Sequence, residues 1–143
     1  GRLLEILQSE KLPAGFLLHS YGGPAEMVPK FAELGGHFSI SGYFAQERKE
    51  RQREVFRNVP LDRILVETDA PDMTLPEERD RYHLKVANGG IINHPANIIE
   101  VYKFAGELYR IGLEEFATLI EQNFHRFFAV VCAKTSRFRD TLR

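Results

Sequence analysis

Two apolar runs in this sequence end in side chains of the types that bind divalent metal ions. His19 directly follows residues 16–18, and Glu67 and Asp69 follow residues 64–66. Imidazole and carboxylate groups are ligands that divalent ions favour, and a bound ion lowers the pKa of water enough to generate a nucleophile. These residue types are therefore compatible with a metal-assisted hydrolytic site. The structural alternative is that His19 makes a hydrogen bond at a strand end and Asp69 caps a turn.

Such a site requires strands whose carboxyl ends lie at one edge of a sheet. Strand-like and helix-like segments alternate along the chain, which predicts an α/β fold with parallel strands. In that fold, the side chains that act on ligands project from the carboxyl ends of the strands. The segment 70–95 shows little periodicity and is predicted to be a long loop. The predicted strands are 15–19, 36–42 and 63–69; the predicted helices are 2–8, 24–34, 46–57, one from Ile98 to Leu108 and one from Phe116 to Phe127.

The composition is that of a folded domain without an obvious export or membrane signal. The chain has 143 residues, 43% hydrophobic and 27% charged, and its net charge of -1 gives no global basic field. No apolar run approaches the roughly 18 residues of a membrane span, and no signal peptide is recognisable. The single cysteine, Cys132, fits a reducing compartment. We expect an intracellular, most simply cytoplasmic protein with no membrane partner; organelle targeting stays open, since a targeting segment would precede Gly1.

Five stretches of the chain form an ordered set of motifs: GFLLHSYGG (15–23), GHFSISG (36–42), VPLDRILVETDAP (59–71), NHP (93–95) and NFHRFF (123–128). The most specific is the string Glu-Thr-Asp-Ala-Pro that follows the third apolar strand. Taken in this order, the stretches resemble the TatD family of metal-dependent deoxyribonucleases. The likeness extends from about Gly15 to Phe128.

This resemblance implies a TIM-type (β/α) barrel of the metal-dependent hydrolase kind. Residues 1–143 would be the C-terminal portion of one such barrel, with about strands 6–8 and their helices. Within that portion, we expect residues 129–143 to form a basic, mobile tail. The family's activity implies hydrolysis of phosphodiester bonds in DNA as substrate, with a divalent ion (Mg, Mn or Zn) at the C-terminal mouth of the barrel.

The resemblance also implies roles for individual residues. His19 corresponds to the metal-binding histidine of the sixth strand and Asp69 to the aspartate that closes the eighth. Asp69 would contact the metal or the attacking water and accept its proton. Glu67 shares a face with Asp69 by strand alternation, and it either supports the metal ligands or has a purely structural role.

Other side chains are candidates for contact with DNA. Tyr21 either stacks on a base or packs in the fold. Arg79, Arg81 and His83 lie in the long loop beyond Asp69, where they either hold DNA phosphates or form a solvated loop surface.

Most of a barrel has no counterpart in this sequence. A TIM barrel needs about 250 residues and eight strands, whereas three strands are predicted here. The family's other metal ligands, which lie on earlier strands, are also absent. We therefore expect a partner, either the missing N-terminal half of the barrel or a second copy of the chain. Two alternative functions stay open: a non-catalytic barrel fragment or assembly module, and a hydrolase of amide or ester bonds on the same barrel.

We expect the purified 143-residue chain to have negligible nuclease activity, because two protein ligands hold a divalent ion weakly. The full-length protein should cleave DNA in the presence of a divalent ion. Cleavage of a labelled oligonucleotide, with and without added metal, measures the nuclease activity of the 143-residue chain and of the full-length protein. Robust metal-dependent cleavage by the 143-residue monomer would contradict the expectation.

Overall fold

The computed structural model, which describes residues 1–10 and 15–140, contains one parallel sheet flanked by helices. The three predicted strands are confirmed, and they lie side by side in chain order. The strands of this sheet are β1 (Phe16–Leu18), β2 (Gly36–Ser41) and β3 (Ile64–Glu67). The helices are α1 (Arg2–Ser9), α2 (Val28–Glu33), α3 (Glu50–Phe56), α4 (Ile98–Tyr109) and α5 (Leu113–Asp140).

The register of the sheet brings the polar ends of β1 and β3 to the same edge. On one side of β2, Leu18 pairs with Phe38, and on the other side Ser41 pairs with Glu67. Both ladders are parallel, so all three strands end at one edge. His19 and Glu67 therefore lie on this carboxyl edge, as the sequence predicts.

One face of the sheet packs on helices α2, α3 and α4 and forms the core. Phe38 and Ile40 of β2 point to this face, where they pack with Phe31, Phe56 and other apolar side chains. Phe38, Ile40 and Phe56 are fully buried. Burying one such side chain contributes about 1.5–3 kcal/mol, so these contacts fix β2 as the central strand.

Helix α5 is attached to β3 by a buried amide. Asn123 Nδ2 donates to the carbonyl oxygens of Leu61 (2.7 Å) and Ile64 (2.9 Å), at the beginning of β3. Nearby, the ring of His37 packs on Phe127, with 4.8 Å between the ring centroids. Burial lowers the pKa of His37, and the charge of Arg63 lowers it further. Among the described helices, none has the combination of length and apolar sequence that crossing a membrane requires.

The structure corrects two expectations about the second half of the chain. The segment 70–95 contains an antiparallel hairpin of β4 (His83–Lys85) and β5 (Ile91–Asn93), whose strands are too short to show a periodicity. Helix α5 continues to Asp140, beyond the predicted end of the last helix at Phe127. The mobility of the tail expected at residues 129–143 stays a prediction. No glycine or proline interrupts residues 113–140. Residues 141–143 of the predicted tail lie outside the described residues.

Replacing Asn123 with alanine should lower the free energy of unfolding by about 1–3 kcal/mol, because the buried carbonyl group of Ile64 and the partly buried one of Leu61 lose their donor. Urea unfolding of the full-length protein measures the loss. Gln122→Ala is the matched control, since Gln122 is exposed on the same helix, and we expect it to change stability by less than about 0.5 kcal/mol. Equal effects of the two substitutions would show that the Asn123 contacts do not stabilise the fold.

Candidate metal centre

His19 lies between two carboxylates at the carboxyl edge of the sheet. Its Nδ1 is 2.8 Å from Oε2 of Glu67, and its Nε2 is 3.2 Å from Oδ1 of Asp69. One possible ligand atom from each of the three residues lies within 4.8 Å of the others. The His19 side chain is 59% exposed and that of Asp69 only 9%. The cluster therefore opens toward solvent on its histidine side.

The backbone turns sharply at both ends of this cluster. Ser20 has φ 46 and Asp69 has φ 57, which are left-handed conformations. β3 ends at Glu67, so strand alternation does not reach Asp69, although the sequence-based argument used it. The turn itself places the Asp69 carboxylate beside His19. Aspartate is one of the few residues with a side chain that adopts this conformation at moderate cost.

Ser20 links the two carboxylates and was missed by the sequence-based reasoning. Its Oγ is 3.0 Å from Oε1 of Glu67 and 3.3 Å from Oδ2 of Asp69. Its backbone N–H donates to Ser39 Oγ at 3.3 Å, which fixes the turn to β2. A serine has one hydroxyl proton, so it donates to one carboxylate at a time. Its position after His19 was the available signal, since a polar residue there lies at the same strand end.

Two buried asparagines hold the segment that follows Asp69. Asn93 Nδ2 donates to the Thr68 carbonyl at 2.7 Å, and the Asn93 backbone N–H donates to the Pro71 carbonyl at 2.8 Å. Asn97 Nδ2 in turn donates to Asn93 Oδ1 at 2.9 Å. Both asparagines are at most 1% exposed. These hydrogen bonds fix the backbone on both sides of Asp69 and thereby limit the positions of its carboxylate.

Tyr21 is a core residue, which agrees with the alternative that it packs in the fold and not with base stacking. It is 8% exposed, and its ring makes edge contacts with Phe31 and Phe38. Its hydroxyl donates to the Pro24 carbonyl at 3.1 Å. Burial, assisted by the charge of Glu26, raises the pKa of this hydroxyl. The chain turns back into the core directly after the exposed His19, and sequence spacing alone does not reveal such a turn.

The three basic candidates in the long segment are paired with carboxylates outside the His19 cluster. Arg79 Nη2 is 2.5 Å from Glu107 Oε2, and Arg81 Nε is 2.9 Å from Glu100 Oε1. His83 Nδ1 is 3.8 Å from Asp80 Oδ2.

Glu107 and Glu100 lie on α4, so the two arginines attach the segment to that helix. Phosphate binding by these arginines would have to replace an existing ion pair. Their contact with DNA stays a prediction.

The donor set of the cluster fits a divalent cation. The hydrogen bond between Nδ1 of His19 and Glu67 leaves Nε2 facing Asp69. Metal-binding histidines commonly donate one ring N–H to a carboxylate in this way, which orients the ring and fixes its tautomer. His19 and Asp69 would then hold the ion directly, and Glu67 would orient His19. The two carboxylates also supply the negative charge that favours a cation.

A parallel sheet with this cluster at its carboxyl edge is typical of barrel hydrolases that use a metal ion. A family model described as TatD related DNase matches residues 1–129. The chain therefore belongs to the TatD family of metal-dependent hydrolases, and its sheet and helices are a portion of a TIM-type barrel.

Individual relatives agree with this assignment. An uncharacterized metal-dependent hydrolase of Escherichia coli, YcfH, is 33% identical over 137 residues, which cover 95% of this chain and 48% of the relative. A protein of Pantoea vagans named 3'-5' ssDNA/RNA exonuclease TatD is 29% identical over 116 residues, with coverages of 80% and 42%. The crystal structure of the E. coli TatD homologue YjjV superimposes with a TM-score of 0.72 at 27% identity, over 87% of this chain and 44% of that one.

The chain thus spans about half the length of the curated relatives that it matches. This portion of the barrel contains His19, Glu67 and Asp69. Any further ligands of a complete centre would come from outside the portion that the structure describes.

Replacing Glu67 with alanine should weaken Mn²⁺ binding by about 10–100-fold, because His19 loses the acceptor that orients its ring. Calorimetric titration of the full-length protein measures the affinity without requiring turnover. Glu67→Gln retains an acceptor oxygen and should fall between wild type and Glu67→Ala. Glu47→Ala, which removes an exposed carboxylate elsewhere, is the control. Wild-type affinity in Glu67→Ala would refute the role of Glu67 in the centre.

Proposed function

We propose that the protein containing this chain hydrolyses phosphodiester bonds in DNA with the help of a divalent ion. The observation that carries the proposal is the cluster of His19, Glu67 and Asp69 at the carboxyl edge of a parallel sheet. The family description and the printed name of the P. vagans relative, an exonuclease for single-stranded DNA and RNA, support a nucleic-acid substrate.

Each side chain of the cluster has a distinct part in this reaction. A bound divalent ion supplies a Lewis acid for the phosphate and lowers the pKa of water. His19 would hold the ion through Nε2, while Glu67 would accept from Nδ1 and keep the ring in place. Asp69 has two carboxylate oxygens, so one would face the ion while the other would accept a proton from the attacking water. Ser20 donates to either Glu67 or Asp69 and so limits the rotation of one carboxylate at a time.

The active form, in this proposal, includes the remaining N-terminal half of the barrel. β1 and β3 are the edge strands of the described sheet, and unpaired strand edges favour further pairing. Between β3 and α5 lies a groove of about 480 Å³, lined in part by Leu17, Phe124 and Phe128. These three side chains are 36%, 50% and 40% exposed. Strands from the other half would cover them and would contribute the further metal ligands.

Replacing Asp69 with alanine should lower the rate of DNA cleavage by at least about 100-fold, because the proton acceptor and a metal ligand are lost together. The measurement is cleavage of an end-labelled single-stranded oligonucleotide by the full-length protein with added Mg²⁺ or Mn²⁺. Asp72→Ala is the matched control, since Asp72 is exposed and lies close by in sequence. It should retain the wild-type rate.

Intact cleavage by the Asp69→Ala variant would contradict the assignment of the site. Small amide and ester substrates, assayed in parallel, address the competing hydrolase function. Turnover of those substrates without cleavage of DNA would replace the proposed reaction by hydrolysis of amide or ester bonds.

A further inference from the structure

Two cationic side chains converge on one aromatic ring in the loop after β2. Lys49 Nζ is 4.5 Å and Arg48 Cζ is 5.3 Å from the centroid of the Tyr43 ring. Arg48 Nη2 also donates to the Tyr43 hydroxyl at 3.4 Å. We call Tyr43, Arg48 and Lys49 the Tyr43 cluster. Both cations fall within the helix predicted at 46–57, but they lie in a short 3₁₀ turn, Glu47–Lys49, that precedes α3.

The Tyr43 cluster lies on the same edge of the sheet as the His19 site. The loop leaves β2 after Ser41, the residue that pairs with Glu67. The spacing of strands and the rise per residue place the Cα of Tyr43 within about 12 Å of that of Glu67. A nucleic-acid strand bound at the His19 site can therefore extend over the Tyr43 cluster.

Several hydrogen bonds hold this loop in place. Arg53 Nη1 donates to the carbonyl oxygens of Phe44 (2.9 Å) and Gln46 (2.7 Å). Gln46 Nε2 donates to the Thr74 carbonyl at 3.1 Å, which connects the loop to the segment after β3. The cations are therefore presented from a fixed backbone.

The charges of Arg48 and Lys49 remain available for an anion. Across residues 1–10 and 15–129, neither makes an ion pair with a carboxylate within 4.0 Å, in contrast to Arg79 and Arg81. Glu47 and Glu50 flank the two residues in sequence, so the loop as a whole is close to neutral. Recognition would depend on the convergence of the two cations and not on a broad basic field.

We propose that the Tyr43 cluster binds phosphates of a nucleic-acid strand next to the bond that is cleaved at the His19 site. A phosphate bound at this ring is attracted by both cations, since their distances from the same ring centroid are 4.5 Å and 5.3 Å. Cation–π contacts with Tyr43 restrict the two long side chains beforehand, so less conformational entropy is lost on binding. The inference rests on the proposed function, since it assigns the substrate of the same site.

The experiment is binding of a fluorescently labelled single-stranded DNA 12-mer to the full-length protein, followed by anisotropy in EDTA so that no cleavage occurs. Arg48→Ala/Lys49→Ala should bind about 10-fold more weakly at low salt. The slope of log affinity against log salt should fall by about 1.4, because two phosphate contacts are lost. Tyr43→Ala should weaken binding, whereas Tyr43→Phe retains the ring and should bind nearly as wild type.

The matched control is Lys30→Ala/Arg110→Gly, which removes one lysine and one arginine away from this edge. Arg110 has φ 58, so glycine fits its backbone. The control should keep the wild-type affinity and salt slope. The proposal is overturned if wild type does not bind the 12-mer, if the double alanine variant binds like wild type, or if the control loses as much affinity.

Cleavage, measured separately with added metal, distinguishes failure of this inference from failure of the proposed function. If wild type cleaves DNA but the Arg48 and Lys49 substitutions leave binding unchanged, only the inference fails. Binding that depends on Arg48 and Lys49 in a protein that cleaves no nucleic acid would refute the proposed function alone. RNA and duplex DNA of the same sequence show which form of the phosphate backbone is bound.

Discussion

The parallel pairing of β2 with both of its neighbours is the constraint on which the site depends. It brings His19 within 2.8 Å of a carboxylate that lies 48 residues further along the chain. A shift by one residue in either ladder would turn the inward side chains to the opposite face. The buried face of β2, with Phe38 and Ile40, prevents such a shift because those side chains fill the core. Packing of the apolar face thus fixes the chemistry of the carboxyl edge.

The positions of the His19, Glu67 and Asp69 side chains also depend on residues that are not themselves candidate metal ligands. Ser20 and Asp69 both have left-handed backbone conformations, and such conformations persist only where the surroundings hold them. Asn93 and Asn97 provide that support from the buried side, and Ser39 holds the backbone of Ser20. The candidate site is therefore built on a network of amides and hydroxyls beneath the side chains of His19, Glu67 and Asp69.

The sequence predicted the parts of the structure that depend on local pattern. Apolar runs predicted the three strands. The polar residues that follow two of these runs predicted that His19 and Asp69 lie at one edge of the sheet. The sequence could not decide between base stacking and core packing for Tyr21, because the tight turn after His19 is not visible in the sequence pattern. It also could not separate Arg79 and Arg81, which pair with α4, from Arg48 and Lys49, which do not, because those partners are distant in sequence. The hairpin of β4 and β5 was missed because three-residue strands carry almost no periodic signal.

The most direct test of the account is the location of a bound ion in crystals of the full-length protein grown with Mn²⁺. An anomalous-difference map should show a peak within bonding distance, roughly 2.0–2.3 Å, of His19 Nε2 and an Asp69 carboxylate oxygen. Glu67 should remain hydrogen-bonded to Nδ1. A fully occupied Mn²⁺ peak elsewhere, with the His19 cluster free of metal, would contradict the central claim.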